Sequence, residues 1–126
     1  MIQAQATGRR ALLIDDDENT RCFVRAAFEY HGFSVTEADR GERGLQIFAQ
    51  ANFDVVVVDY QMPGMDGLEC CRRMRALWPG PILMLSGRED PQLPGQALEA
   101  GANRFFLKPA DWCLLAHAAS QMLPSA

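Results

Sequence analysis

Five polar side chains follow directly on apolar runs, and their types suggest one chemistry. Asp15 and Asp16 follow the run Ala11 to Ile14, Asp59 follows Val55 to Val58, Ser86 follows Ile82 to Leu85, and Lys108 follows Phe105 to Leu107. Clustered carboxylates repel one another unless a cation lies among them. An all-oxygen donor set suits a hard divalent ion better than zinc, which points to Mg²⁺, with Mn²⁺ as an alternative. Beside such an ion, a carboxylate at the end of an apolar strand can attack an electrophilic phosphorus. Phosphoryl transfer mainly requires positioning and charge neutralisation, which an ammonium and a hydroxyl can supply on different equatorial oxygens.

These residues can cooperate only if the elements before them end at one place. The run from Ala11 stops at Asp15 to Glu18, after which Phe23, Val24, Ala27 and Phe28 recur at helical spacing and Gly32 ends the helix. Phe33 and Val35 begin a second strand that ends near Ala38, and Leu45, Phe48 and Ala49 predict an apolar face on a helix from Gly41 to Ala51. The segment Phe53 to Val58 includes four consecutive valines, the pattern of a strand covered on both faces. Asp66 can cap a third helix carrying Leu68, Cys71, Met74 and Leu77, with Glu69 reaching back in a capping box. Further strands are expected at Pro81 to Leu85 and Arg104 to Leu107, and a last helix from Ala110 to Leu123. Pro91 and Pro94 leave two starts for the fourth helix, one capped by Asp90 and one at Pro94 itself.

Five strands alternating with five helices predict an α/β doubly wound fold, a parallel sheet with helices on both faces; its expected form is the flavodoxin-like five-stranded sheet in the order 2-1-3-4-5. In that order the four polar endings fall on four adjacent strands, beyond whose carboxyl ends ligands bind in open sheets. The expected division is an N-terminal extension at 1–9, the domain at 10–123 and a tail or start of a linker at 124–126.

Composition narrows the function. The 126 residues suit one domain, and 48% apolar with 22% charged residues excludes disorder, collagen and coiled coil. A net charge of −4 with no basic run argues against direct nucleic-acid binding. No apolar run reaches the roughly 18 residues of a membrane span, and the first seven residues do not resemble a signal peptide, so a cytoplasmic location is expected. Cys22, Cys70, Cys71 and Cys113 have no metal-ligand spacing and read as reduced, half-buried thiols, while His31 and His117 are far apart in sequence and read as helix-end or core residues. Lys108 is the sole lysine among twelve basic residues.

The chain resembles the response-regulator receiver domains of two-component signalling, over about Arg10 to Leu123. The segments that carry the resemblance are Leu12 to Asp17, Val55 to Gly67, Ile82 to Gly87, Ala97 to Ala102 and Phe105 to Pro109. It implies Asp59 as the phosphoacceptor, Asp16 as a direct Mg²⁺ ligand, Asp15 as a ligand through water, and the Gln61 backbone carbonyl as a further ligand. It also implies Ser86 and Phe105 as a switch pair, Lys108 as the phosphate's counter-charge, and a cis Lys108–Pro109 bond. The implied partners are a histidine kinase or phosphotransfer protein upstream and a downstream protein on the face of the fourth helix, fifth strand and fifth helix. Such a domain is not an enzyme in the usual sense, although it assists its own phosphorylation and dephosphorylation.

Taken singly, each of these residues has a plainer reading: a helix cap, a turn aspartate, a loop hydroxyl, a surface lysine, a core phenylalanine. Their convergence on four strands favours the joint reading. Two competing functions are a pseudo-receiver that binds without phosphorylation, opposed by the intact acidic residues and Lys108, and a small phosphate-ester hydrolase, opposed by the minimal loops. The sequence after Leu123 names no output, so the chain reads as a single-domain regulator or as part of a longer protein.

Overall fold

The valine run lies where its composition requires, at the centre of the sheet. The structure is a computed structural model describing residues 8–124. Of the expected extension at 1–9, only Gly8 and Arg9 fall among the described residues, and of the tail at 124–126 only Pro124 does. The strands are β1 (Arg10–Ile14), β2 (Ser34–Ala38), β3 (Val55–Asp59), β4 (Ile82–Ser86) and β5 (Arg104–Leu107). The helices are α1 (Glu18–Tyr30), α2 (Gly41–Gln50), α3 (Gly67–Leu77), α4 (Leu93–Ala100) and α5 (Trp112–Gln121). All strand pairs are parallel and the order is β2-β1-β3-β4-β5, as expected.

Strand alternation divides the core into two layers. Ala11, Leu13, Val55, Val57, Leu83 and Leu85 face α1 and α5, where Val24, Phe28, Leu115 and Ala119 complete the packing. Leu12, Ile14, Val56, Val58, Ile82 and Met84 face the opposite side, against Leu68, Met74, Leu93 and Ala97 of α3 and α4. Every residue of β3 and β4 is buried, so neither strand has a solvent face.

Several local expectations need correction. Phe23 and Leu77 point into solvent, 61% and 82% exposed, because each lies at the border of an apolar stripe that its neighbours already fill. On α2 the inner face comprises Gly44, Leu45, Ile47 and Phe48, whereas Ala49 is exposed. Asp66 does cap α3 by accepting from the Glu69 N–H at 2.9 Å, but the Glu69 carboxylate pairs with Arg72 and Arg73 instead of closing a capping box. No cysteine is half-buried: Cys70 and Cys71 are fully enclosed, while Cys22 and Cys113 are exposed. The packing of α1 on α5 brings His31 and His117 together, with ring centroids 6.3 Å apart.

Helix α4 begins at Leu93, one residue before Pro94 and two after Pro91. Asp90 Oδ1 accepts from the Gln92 N–H in an Asx turn, and the first helical bond joins the Gln96 N–H to the Gln92 carbonyl. Pro94 therefore occupies a first-turn position whose N–H would be unpaired in any helix, and it removes no helical hydrogen bond. The other end of α4 is tied down. Gly101 closes it at φ +111°, and Arg75 of α3 donates to the Gly101, Trp78 and Gly80 carbonyls and to Asn103 Oδ1.

Gly67 shows how closely α3 approaches the central strand. A Cβ there would collide with the Asp59 carbonyl oxygen and crowd the Tyr60 Cα, both of them backbone atoms with little freedom to yield. Gly67→Ala is expected to lower the unfolding free energy in urea by roughly 1–3 kcal/mol, the usual cost of forcing atoms into a filled site. An unchanged urea midpoint would mean that the start of α3 can move away from the strand.

Candidate functional site

Strand register brings the predicted residues to one level. Ile14 pairs with Val58, Asp59 with Leu85, and Ser86 with Leu107, so the next residues of β1 and β5, Asp15 and Lys108, leave the sheet beside Asp59 and Ser86. Backbone bonds extend this order past the strands: the Asp15 N–H donates to the Ala38 carbonyl at 3.0 Å, Tyr60 to Leu85 at 2.8 Å, and Lys108 to Ser86 at 2.7 Å. Asp15, Asp59 and Ser86 are buried there, while Asp16 is exposed.

The Lys108 ammonium lies 2.9 Å from Asp15 Oδ2 and 3.3 Å from Asp59 Oδ1. Both oxygens are buried and accept no directed hydrogen bond, so their compensation is ionic. Asp15 Oδ1 accepts from the Asp17 N–H at 2.9 Å, which fixes that carboxylate's plane. Oxygen atoms of Asp15, Asp16 and Asp59 all lie within 4.8 Å of one another. Hard oxygen donors at this spacing, two of them lacking a hydrogen-bond donor, fit a divalent cation such as Mg²⁺.

Ser86 lies one strand over with its Oγ accepting from the Arg88 N–H at 3.0 Å, which leaves its hydroxyl proton free to donate. Phe105, paired with Met84 across the strands, is half-buried and borders an apolar groove with Pro91, Pro94 and Leu107. Gln61 is exposed in the loop after β3, a loop held by the Gly67 N–H on the Tyr60 carbonyl at 2.8 Å. The Lys108–Pro109 bond is cis. A cleft lined by Asp16, Asp39, Arg40, Glu42, Pro63 and Gly64 opens beside the acidic cluster. Sequence reasoning did not single out Arg21, whose Nη1 donates to the Asp15 carbonyl at 2.7 Å, or Thr20, whose hydroxyl joins Asp17 in capping α1. Their spacing after the acidic run was visible, but their partners were not.

A doubly wound parallel sheet with this cluster at its carboxyl edge suits a divalent cation. Residues 11–120 match the model of the response regulator receiver domain, and the chain belongs to that family. It is 38% identical over 104 residues to the transcriptional regulatory protein CseB of Streptomyces coelicolor, covering 82% of this chain and 44% of CseB. It is 31% identical over 105 residues to the transcriptional regulatory protein ResD of Bacillus subtilis, covering 83% of this chain and 44% of ResD. The chain thus spans less than half the length of these relatives. Among solved structures, the BeF3-activated N-terminal receiver domain of Klebsiella pneumoniae RstA superposes with a TM-score of 0.86 at 27% identity, covering 93% of this chain and all of that one.

Burial and the nearby Asp15 charge push the Asp59 carboxyl up from 3.8 to about 7, against the opposing pull of Lys108. Burial also raises Asp15. Folded Asp59 thus keeps a proton that the unfolded chain releases near pH 3.8, so its contribution to stability falls as pH rises from about 4 to 7. Metal-free Asp59→Asn is expected to exceed the wild type in stability by roughly 1–3 kcal/mol at pH 7.5, with the difference shrinking towards pH 5. Urea denaturation in chelator at both pH values checks this; a difference independent of pH would contradict the buried-charge penalty at Asp59.

Proposed function

We propose that this chain accepts a phosphoryl group onto Asp59 from a phosphohistidine of a histidine kinase or phosphotransfer protein, with Mg²⁺ bound by Asp15, Asp16, Asp59 and the Gln61 carbonyl. The observation that carries this reading is the contact of one ammonium with two buried carboxylates at the end of the central strand, beside an exposed third. An Asp59 oxygen attacks phosphorus in line, the O–P bond forms as the N–P bond breaks, and the electron pair returns to the imidazole nitrogen. Held by these residues, Mg²⁺ would supply positive charge for the phosphoryl oxygens and favour the ionised form of Asp59. Lys108 takes another oxygen, and Ser86 donates its hydroxyl to a third. Water attacking the same phosphorus later reverses the modification, so the domain takes part in its own dephosphorylation.

Movement of Ser86 towards the phosphoryl group draws in the chain between β4 and α4 and opens space for Phe105. The half-buried position of Phe105 beside the Pro91, Pro94 and Leu107 groove supports a switch governed by apolar packing, with α4, β5 and α5 as the face presented to a downstream partner. In this reading the domain occupies residues 10–123 and acts in the cytoplasm. Among the described residues, no helix is long and apolar enough to cross a membrane.

Acetyl phosphate with Mg²⁺ is expected to add one phosphoryl group by intact-mass analysis, and Asp59→Asn to take up none. The same adduct on the Asn variant would refute the assignment, absence of any adduct on the wild type would favour a binding-only module, and sustained turnover of a model ester would favour a hydrolase.

Lys108 bridges two carboxylates as a compact point charge in a half-buried position. A planar guanidinium is larger and presents its donors in a fixed fork. Lys108→Arg is therefore expected to slow phosphorylation at least tenfold despite keeping the charge. A wild-type rate in this variant would show that charge alone suffices.

A further inference from the structure

Arg21 lies outside the carboxylate cluster, yet it holds the backbone from which two of the carboxylates project. It sits in the second turn of α1 with its side chain only 17% exposed. Its Nη1 donates to the Asp15 carbonyl at 2.7 Å, and its Nε donates to Glu37 Oε1 at 3.0 Å. Glu37 is paired with Leu13 across β1 and β2, so the planar guanidinium spans one acceptor on β2 and one just past the end of β1.

The polar groups of Asp15 are all engaged. Its N–H donates to Ala38, its Oδ1 accepts from Asp17, its Oδ2 faces Lys108, and its carbonyl accepts from Arg21. That carbonyl is half of the peptide unit leading to Asp16, and because the unit is planar, fixing the carbonyl fixes the direction in which the chain enters Asp16. Asp16 has little else to orient it. It is exposed and makes no side-chain hydrogen bond among the described residues, yet its carboxylate lies within 4.8 Å of those of Asp15 and Asp59.

We propose that Arg21 is a positioning residue for the divalent-cation site: by pinning the Asp15–Asp16 peptide, it holds Asp16 ready to ligate. The proposal rests on the acidic cluster's being a Mg²⁺ site. Arg21 acts at one remove, as outer-shell groups do for metal ligands generally. The sign of its effect separates positioning from electrostatics. Removing a cation near an acidic cluster should strengthen cation binding by Coulomb's law, whereas loss of positioning should weaken it. Arg25 provides an internal control, because it pairs with the same Glu37 and with Glu29 but makes no bond to the acidic loop.

The experiment is calorimetric Mg²⁺ titration of the full chain at fixed ionic strength, with urea midpoints measured in parallel, for the wild type, Arg21→Gln, Arg21→Lys, Arg25→Gln and Asp16→Ala. Arg21→Gln is expected to weaken Mg²⁺ binding about 10-fold or more, within the 10- to 100-fold range typical of outer-shell changes. Arg25→Gln should stay within about twofold of the wild type, and Arg21→Lys should fall between, since an ammonium lacks the planar fork that reaches both acceptors. In acetyl phosphate assays Arg21→Gln should need more Mg²⁺ for half-saturation, by the same factor, yet reach the wild-type rate at saturation. Unchanged or tighter binding in Arg21→Gln overturns the proposal, as do equal shifts in Arg21→Gln and Arg25→Gln. If Arg21→Gln fails to fold, Arg21→Lys decides, and wild-type affinity there overturns the proposal. A wild type that binds no better than Asp16→Ala would instead remove the metal site on which the proposal rests.

Discussion

Lys108 between Asp15 and Asp59 is the contact on which the arrangement of the carboxyl edge depends. Two carboxylates buried side by side lose hydration and repel each other, and an ammonium within 3.3 Å of both offsets each cost. That contact requires β1, β3 and β5 to end at matching heights although β4 separates the last two. The register is fixed in turn by alternating apolar side chains. A slip of one residue in β3 would exchange Val56 and Val58 with Val55 and Val57 between the two core layers and carry Asp59 out of reach of the lysine.

The two sides of the site differ in rigidity. Asp15 and Asp59 are continuous with strands, fully enclosed and bonded through backbone to neighbouring strands. Asp16 and Gln61 stand on loops open to solvent, and Asp16 lines the cleft formed with Arg40 and Pro63. In the proposed phosphoryl transfer, this division would keep Asp59 fixed while a cation and a phosphorylated partner approach from water.

The alternating elements and their polar endings were legible in the sequence because both follow from strong one-dimensional signals: uninterrupted valines, abrupt acidic or basic stops, and glycine punctuation; the strand order followed from the flavodoxin-like form of the fold. Side-chain partners were less legible. Glu69 satisfied the capping-box spacing, but two arginines on its own helix compete for it. Arg21 offered only a helical spacing from the acidic run, and its acceptors lie just past β1 and on β2, where pairing is a property of the fold. His31 and His117 looked unrelated, since the packing of α1 on α5 that joins them has no local signature. The start of α4 was ambiguous because either proline tolerates a first-turn position, and the Asp90 turn settles it.

The two ends of α4 are held very unequally. At Gly101 the guanidinium of Arg75 links the end of α3, the entry to β4 and the end of α4, while no side chain caps the start at Leu93. A rod whose polar ties are concentrated at one end tilts most readily about that end, and at the other the fully buried Leu93 is held mainly by apolar packing. With a rise of about 1.5 Å per residue the eight-residue helix is about 12 Å long, so a tilt of 10° would carry the tip by about 2 Å while Gly101 stayed in place. In such a tilt Arg75 would be the fulcrum of a short lever whose far end, at Leu93, lies beside the groove bordered by Pro91, Pro94 and Phe105.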